Sequence, residues 1–161
     1  MKTTTLAIIV REVNGKTETL LGEKKKGELG TGVLSGPGGK LEPDETIEQC
    51  LFRETMEEWE IVLDLASAEK VAVITFWADG NPHNECSVFV VREFSGELRE
   101  TPDMHKPEWY DINNLPFDRM FESDREWFDK ALRGEKFRAN AYYRNLAKNF
   151  SHIEFFPWVE S

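Results

Sequence analysis

The sequence predicts an α+β fold, with strands arranged around one central helix and a second helix later in the chain. Three observations lead there. "TTTLAIIVREV" and "TETLLGEK" flank an Asn-Gly turn; "ETIEQCLFRETMEE" carries a helix start signal and a helical apolar stripe; strand-like runs and one further helical stretch follow.

Asn14-Gly15 supplies the positive φ that a tight hairpin needs, so the runs on either side read as two paired strands. Six glycines fall between Gly27 and Lys40. They mark a loop with room for close backbone approach to a ligand. Thr46-Ile47-Glu48-Gln49 fits a capping box and starts a helix near Thr46. Strands are expected at "KVAVITFWA", "CSVFVVREF" and "EWYDI", a helix from about Asp124 to Arg133, and aromatic-rich strands after it. No repeat, low-complexity tract or linker interrupts the chain, and a single domain over residues 1–161 is expected.

At 161 residues, 40% hydrophobic and 31% charged, the composition suits a globular domain with its own core, neither disordered nor membrane-embedded. No apolar run reaches transmembrane length, and the first residues are charged too soon for a signal peptide. Cys50 and Cys86 lack any paired spacing, which fits thiols in a reducing cytosol. The net charge of −10 argues against long nucleic acid or a membrane surface as partner. The expectation is a cytoplasmic monomer acting on a small molecule. An anionic substrate would have to be met locally, by metal ions or a small basic cluster.

On the first helix, Ile47, Cys50 and Leu51 form an apolar stripe whose continuation meets Glu54, Glu57 and Glu58. Inward-facing carboxylates are costly unless paired, hydrogen-bonded or bound to metal. Arg53, four residues before Glu57, is placed to brace one of the three. Clustered hard oxygen donors suit Mg²⁺ or Mn²⁺. The plain alternative is a solvated acidic face. Spacing decides between them: Gly39, five residues, Glu45, seven residues, Arg53-Glu54, two residues, Glu57-Glu58. Six specified residues coincide by chance at a given start about once in ten million.

That spacing resembles the signature of the Nudix hydrolases. The resemblance implies an α/β/α sandwich with a mixed sheet, whose loop–helix–loop holds divalent cations and cleaves a nucleoside diphosphate linked to another group. It implies Glu57 and Glu58 as principal metal ligands, Glu54 as a further ligand or base, Arg53 as their orienting cation, and a carbonyl at Gly38 or Gly39 completing the coordination. Mg²⁺ is the expected ion, with Mn²⁺ as the alternative. Glu45 either supports the loop by hydrogen bonds or is a helix-entry charge. Lys25 and Lys40 flank the glycine-rich stretch as candidate phosphate holders, whereas Lys24, Lys25 and Lys26 together read as a solvated run. Asp103 is the expected acid outside the helix, and His83, His105 and His152 receive no role. One position departs. Glu60 stands where the family has a helix-ending Gly, so it either costs on the order of 1 kcal/mol or moves the helix end.

"SGPGGKLEPDETIE" and "KPEWYDINNLPFDRMFESDREWFDKALRGEKF" further resemble the MutT-like oxidised purine nucleoside triphosphatases, which keep nucleotide pools clean. That likeness implies hydrolysis of purine triphosphates, oxidised ones such as 8-oxo-dGTP included, to monophosphate and pyrophosphate. It places the purine against Phe121 and Trp127, near Phe76 and Leu29, with Gly38 and Ser35 in the glycine loop and Asp124 on the base edge. Three positions differ from those relatives: Ser123 replaces one of two adjacent acids, Phe121 a Trp, and Ser35 an Asn. A lone Asp124 is expected to be ionised and to act only as an acceptor. Guanine-type bases are then favoured over adenine-type ones. Two other readings stay open: a Nudix hydrolase of dinucleoside polyphosphates or 5′-triphosphate RNA ends, and an inactive Nudix-like binding module.

Overall fold

A computed structural model describes residues 1–26, 31–146 and 148–159. The expected hairpin forms from β1 (Lys2–Val13) and β2 (Lys16–Glu23), with Asn14 at φ 53 and Gly15 at φ 78 between them. After β3 (Leu34–Ser35), helix α1 spans Ile47–Trp59. Next come β4 (Val62–Leu63), β5 (Ala68–Ala78), β6 (Asn81–Val91), β7 (Phe94–Ser95) and β8 (Glu108–Asp111). Helix α2 (Asp124–Leu132), β9 (Phe137–Asn145) and β10 (Lys148–Pro157) follow. The short β3, β4 and β7 carry too few residues to leave a periodic signal in the sequence.

Strands run β10-β9-β5-β6-β1-β2-β3 across one mixed sheet, and β8 adds to β2. The pairs β1–β6 and β5–β9 are parallel and the others antiparallel. Both faces of the sheet are covered. Ala7, Ile9 and Leu20 pack with Leu51 and Trp59 of α1, while Ile8, Val10 and Ile74 pack with Trp127 and Phe128 of α2. Successive β1 side chains enter opposite layers, which is why "LAIIV" is an unbroken apolar run. This is the α/β/α sandwich. No helix among the described residues is long and apolar enough to cross a membrane.

Strand β1 divides its edge in a way that places the site. Only Val10–Val13 pair with β2. Further back, the freed edge receives the glycine loop: Thr5 N–H donates to the Gly39 carbonyl at 2.9 Å, Ala7 N–H to Pro37 at 2.8 Å, and Leu41 N–H to Thr3 at 2.9 Å. A Cβ on Gly38 would overlap the Thr5 carbonyl, and one on Gly39 the Glu54 carboxylate. At these two positions the missing side chain makes room for β1 and for the helix acid.

Helix α1 starts as expected, with both halves of the capping box formed at Thr46 and Gln49. It ends at Trp59 with Glu60 in the left-handed region at φ 55, ψ 37, where Glu60 accepts a 2.9 Å bond from Arg99. The helix end has not moved, so the strain is retained. Glu60→Gly is expected to stabilise the protein by about 1 kcal/mol, net of a surface ion pair worth less than that. For this chain length that raises the melting midpoint by about 2–4 °C. An unchanged or lower midpoint in thermal denaturation would contradict this account of the helix end.

Candidate functional site

Burial along α1 corrects the expected stripe. The core-facing residues are Cys50, Leu51, Thr55 and Trp59, because four-residue steps from Leu51 land on Thr55 and Trp59. Steps from Cys50 land on Glu54 and Glu58, which lie half-buried at the stripe's edge, whereas Glu57 is exposed. Arg53 holds more than the one acid expected. Its Nε and Nη2 make a two-pronged contact with Glu45 at 2.6 and 2.9 Å, and its Nη1 donates to Glu54 at 2.8 Å and to Glu57 at 3.2 Å. Planar guanidinium geometry permits this sharing. Glu45 also accepts the Glu42 N–H at 3.1 Å, so it braces the loop, and the Arg53 bond lowers its pKa to about 2.

Glu58 is the outlier of the cluster. Among the described residues its carboxylate accepts only the Gly38 N–H, at 2.8 Å, and burial pushes its pKa up to about 7 despite the nearby Lys24 charge. Glu54 is raised too, mainly by burial. Carboxylates held partly out of water with too few donors are what a divalent cation neutralises, and the donors here are hard oxygens. The residues present therefore fit a hard divalent cation. Among the described residues, however, no three acid, His or Cys side chains are already gathered in metal-holding geometry. The Gly39 carbonyl, an expected ligand, accepts the Thr5 N–H at 2.9 Å and the Cys50 thiol at 3.6 Å. Asp103 is close enough to Glu58 to raise its pKa, with its own Oδ1 3.9 Å from Lys26.

A cavity of about 200 Å³ runs from this loop to α2, lined among others by Lys24, Ser35, Gly38, Gly39, Phe76 and Phe121, with Asp124 and Trp127 at its far end. Of the residues expected around the base, Ser35, Gly38, Phe76, Phe121, Asp124 and Trp127 all line this cavity. Lys25 and Lys40 are corrected: neither lines the cavity. Lys25 pairs with Glu100 and donates to the Thr101 carbonyl, and Lys40 is exposed. Lys24 lines it instead, because neighbouring residues of an extended chain point to opposite sides. Strand alternation was the signal that could have separated Lys24 from Lys25. Leu29 lies outside the described residues. Trp127 is 1% exposed and packs on Phe128 with ring centroids 5.3 Å apart, so it backs the wall.

Asp124 overturns its expected ionisation. It is 5% exposed, and its one hydrogen bond among the described residues comes from the Phe121 N–H at 3.2 Å. Burial pushes its pKa up to about 8. At neutral pH the carboxyl therefore holds a proton and donates as well as accepts.

Residues 1–131 match the NUDIX domain family. The chain is 34% identical over 137 residues to the oxidized purine nucleoside triphosphate hydrolase of Danio rerio, covering 84% of this chain and 83% of that one. It is 34% identical over 119 residues to the protein of the same name from Mus musculus, covering 73% and 74%. In fold it is similar to the solved MutT protein from Bacillus halodurans, with a TM-score of 0.77 at 22% identity over 96% and 97% of the two chains. On this match, which spans most of the sequence and includes the acidic helix, the chain belongs to the NUDIX family and is a Nudix hydrolase.

Proposed function

We propose that the protein hydrolyses purine nucleoside triphosphates, oxidised ones included, to the monophosphate and pyrophosphate, with Mg²⁺ as its working ion and Mn²⁺ as a substitute. The supporting observation is the single cavity that joins an aromatic wall carrying a buried acid, Phe121 and Asp124, to the Gly38–Gly39 loop lying against Glu58 and Glu54. One end is largely aromatic around the buried Asp124, as a base requires, and the other is the glycine loop, against which Glu54 and Glu58 lie, as metal-bridged phosphates require. Relatives named oxidized purine nucleoside triphosphate hydrolases support the same substrate class.

In this reading Phe121 and Phe76 contact the ring, Asp124 reads its edge, and Lys24 approaches the phosphates. Glu54, Glu57 and Glu58 are the metal-ligating acids, Arg53 orients the first two, and Asp103 assists from the loop outside the helix. A bound divalent ion supplies charge neutralisation at the phosphate oxygens and an activated water. Buried, unpaired Cys50 and Cys86 suit a reducing cytosol, and the proposed enzyme acts there as a monomer.

The test is a Mg²⁺ screen of purine and pyrimidine triphosphates, dinucleoside polyphosphates and 5′-triphosphate RNA, scoring pyrophosphate against phosphate. Pyrophosphate from purine triphosphates is the expected result. Turnover confined to the dinucleotides or RNA, or none at all, would refute the assignment.

A further inference from the structure

We propose that Tyr143 of β9 is a specificity-determining positioning residue: its hydroxyl pair with Ser123 fixes the turn carrying Phe121 and Asp124, and so decides which purine edge fits. This deepens the purine triphosphate reading above and rests on it.

The Tyr143 hydroxyl accepts the Ser123 N–H at 2.9 Å and donates to the Ser123 Oγ at 2.6 Å. Ser123 is 0% exposed and Tyr143 5%. Serine is among the best helix N-caps, yet Ser123, at the N-cap of α2, makes no side-chain capping bond. Its hydroxyl is held by Tyr143 instead. The start of α2 is therefore held by a strand as well as by the local bonds between Phe121 and Asp124.

A second fastening lies one residue earlier. The two carboxylate oxygens of Glu122 accept the N–H groups of Asn149 and Phe150, at 3.0 and 3.2 Å. Residues 122 and 123 thus grip the β9–β10 hairpin, while Phe121 and Asp124 on either side of them line the cavity. The hairpin lies beyond the 1–131 stretch that matches the family. The purine wall is registered by a segment outside that stretch.

Hydrogen bonds weaken steeply once distance and angle leave a narrow range. A small displacement of Asp124 therefore changes how one base edge is preferred over another. The acids of α1 and the glycine loop are held by β1, so the phosphate end is positioned separately and is common to every base.

The test uses the whole chain with Tyr143→Phe, Ser123→Ala and the double variant. Binding of dGMP and dAMP is measured by titration calorimetry in EDTA, together with KM and kcat for dGTP and dATP in Mg²⁺. Tyr143→Phe keeps the ring and its contact with Phe150, centroids 5.4 Å apart. The expected result is a shift of about fivefold in the dGMP to dAMP affinity ratio, the range of one lost hydrogen bond, appearing in KM more than in kcat. Ser123→Ala, which removes only the Oγ bond, gives a smaller shift in the same direction, and the double variant no more than Tyr143→Phe, which already breaks both bonds. An unchanged ratio in Tyr143→Phe, or additive effects in the double variant, would overturn the inference while leaving the purine reading intact. A parent protein that binds neither monophosphate overturns that reading, and this inference with it.

Discussion

Glu57→Gln is expected to lower kcat for a purine triphosphate in saturating Mg²⁺ by about 10²–10⁴-fold, the range seen when a positioned acid or charge is removed. The fold should survive, because Glu57 is exposed and holds only Arg53, through an ion pair four residues apart. Glu58→Gln should lose activity on the same scale but differ in stability. The Glu58 pKa rises from 4.5 to about 7 on folding. An acid raised in this way favours the fold while protonated; that stability is complete below 4.5 and is lost as pH climbs through about 7. At pH 8 its charge opposes folding by up to about 3 kcal/mol. In EDTA at pH 8, Glu58→Gln therefore melts several degrees above the parent. Millimolar Mg²⁺ raises the parent's midpoint by mass action and changes the variant's less. Parental turnover in Glu57→Gln, or a lower EDTA midpoint for Glu58→Gln, would mean that this helix face is not the metal site.

The second large effect concerns the base. With the Phe121 N–H on Asp124 Oδ2, the proton of the neutral acid sits on the oxygen left for the ligand. A neutral carboxyl donates to an unprotonated ring nitrogen such as adenine N1, whereas a carboxylate there would face a lone pair. Guanine's N1–H suits the ionised form. Base preference should therefore turn over as pH crosses about 8, the pKa that burial gives Asp124. Mispaired buried edges cost about 1–3 kcal/mol. The adenine-to-guanine ratio of kcat/KM, for dATP against dGTP, should accordingly fall about tenfold between pH 6.5 and 8.5. Titration of the helix acids affects both substrates alike and cancels in the ratio. Asp124→Asn should flatten the profile. A parent ratio that does not change with pH, or one that changes equally in Asp124→Asn, would remove Asp124 from base recognition.

What the sequence disclosed follows locality. The Asn14-Gly15 hairpin, the Thr46 cap and the Arg53–Glu58 motif are written within a few residues, and each stands where the pattern placed it. The misreadings involve partners distant in the chain. Choosing Lys25 over Lys24 needed the direction of each side chain past the end of β2. The packing of the glycine loop on β1 was not legible, because nothing local shows that β1 lies against it. The charge on Asp124 was misjudged because its desolvation comes from elements that no local pattern ties to residue 124. Tyr143 carried no signal at all, since its partner Ser123 looks like an ordinary helix cap until β9 is folded beside it.

The divided edge of β1 also sets an order of assembly. The β1–β2 hairpin closes across neighbouring residues, but the half of β1 that receives the glycine loop is held in the sheet only by β6, with Leu6 beside Val88. Loop-closure entropy makes such distant parallel pairing slow to form. The glycine loop has no edge to dock on until that pairing exists. Helix α1 and the hairpin are therefore expected to form early, with hydrolase activity among the last properties to return on refolding.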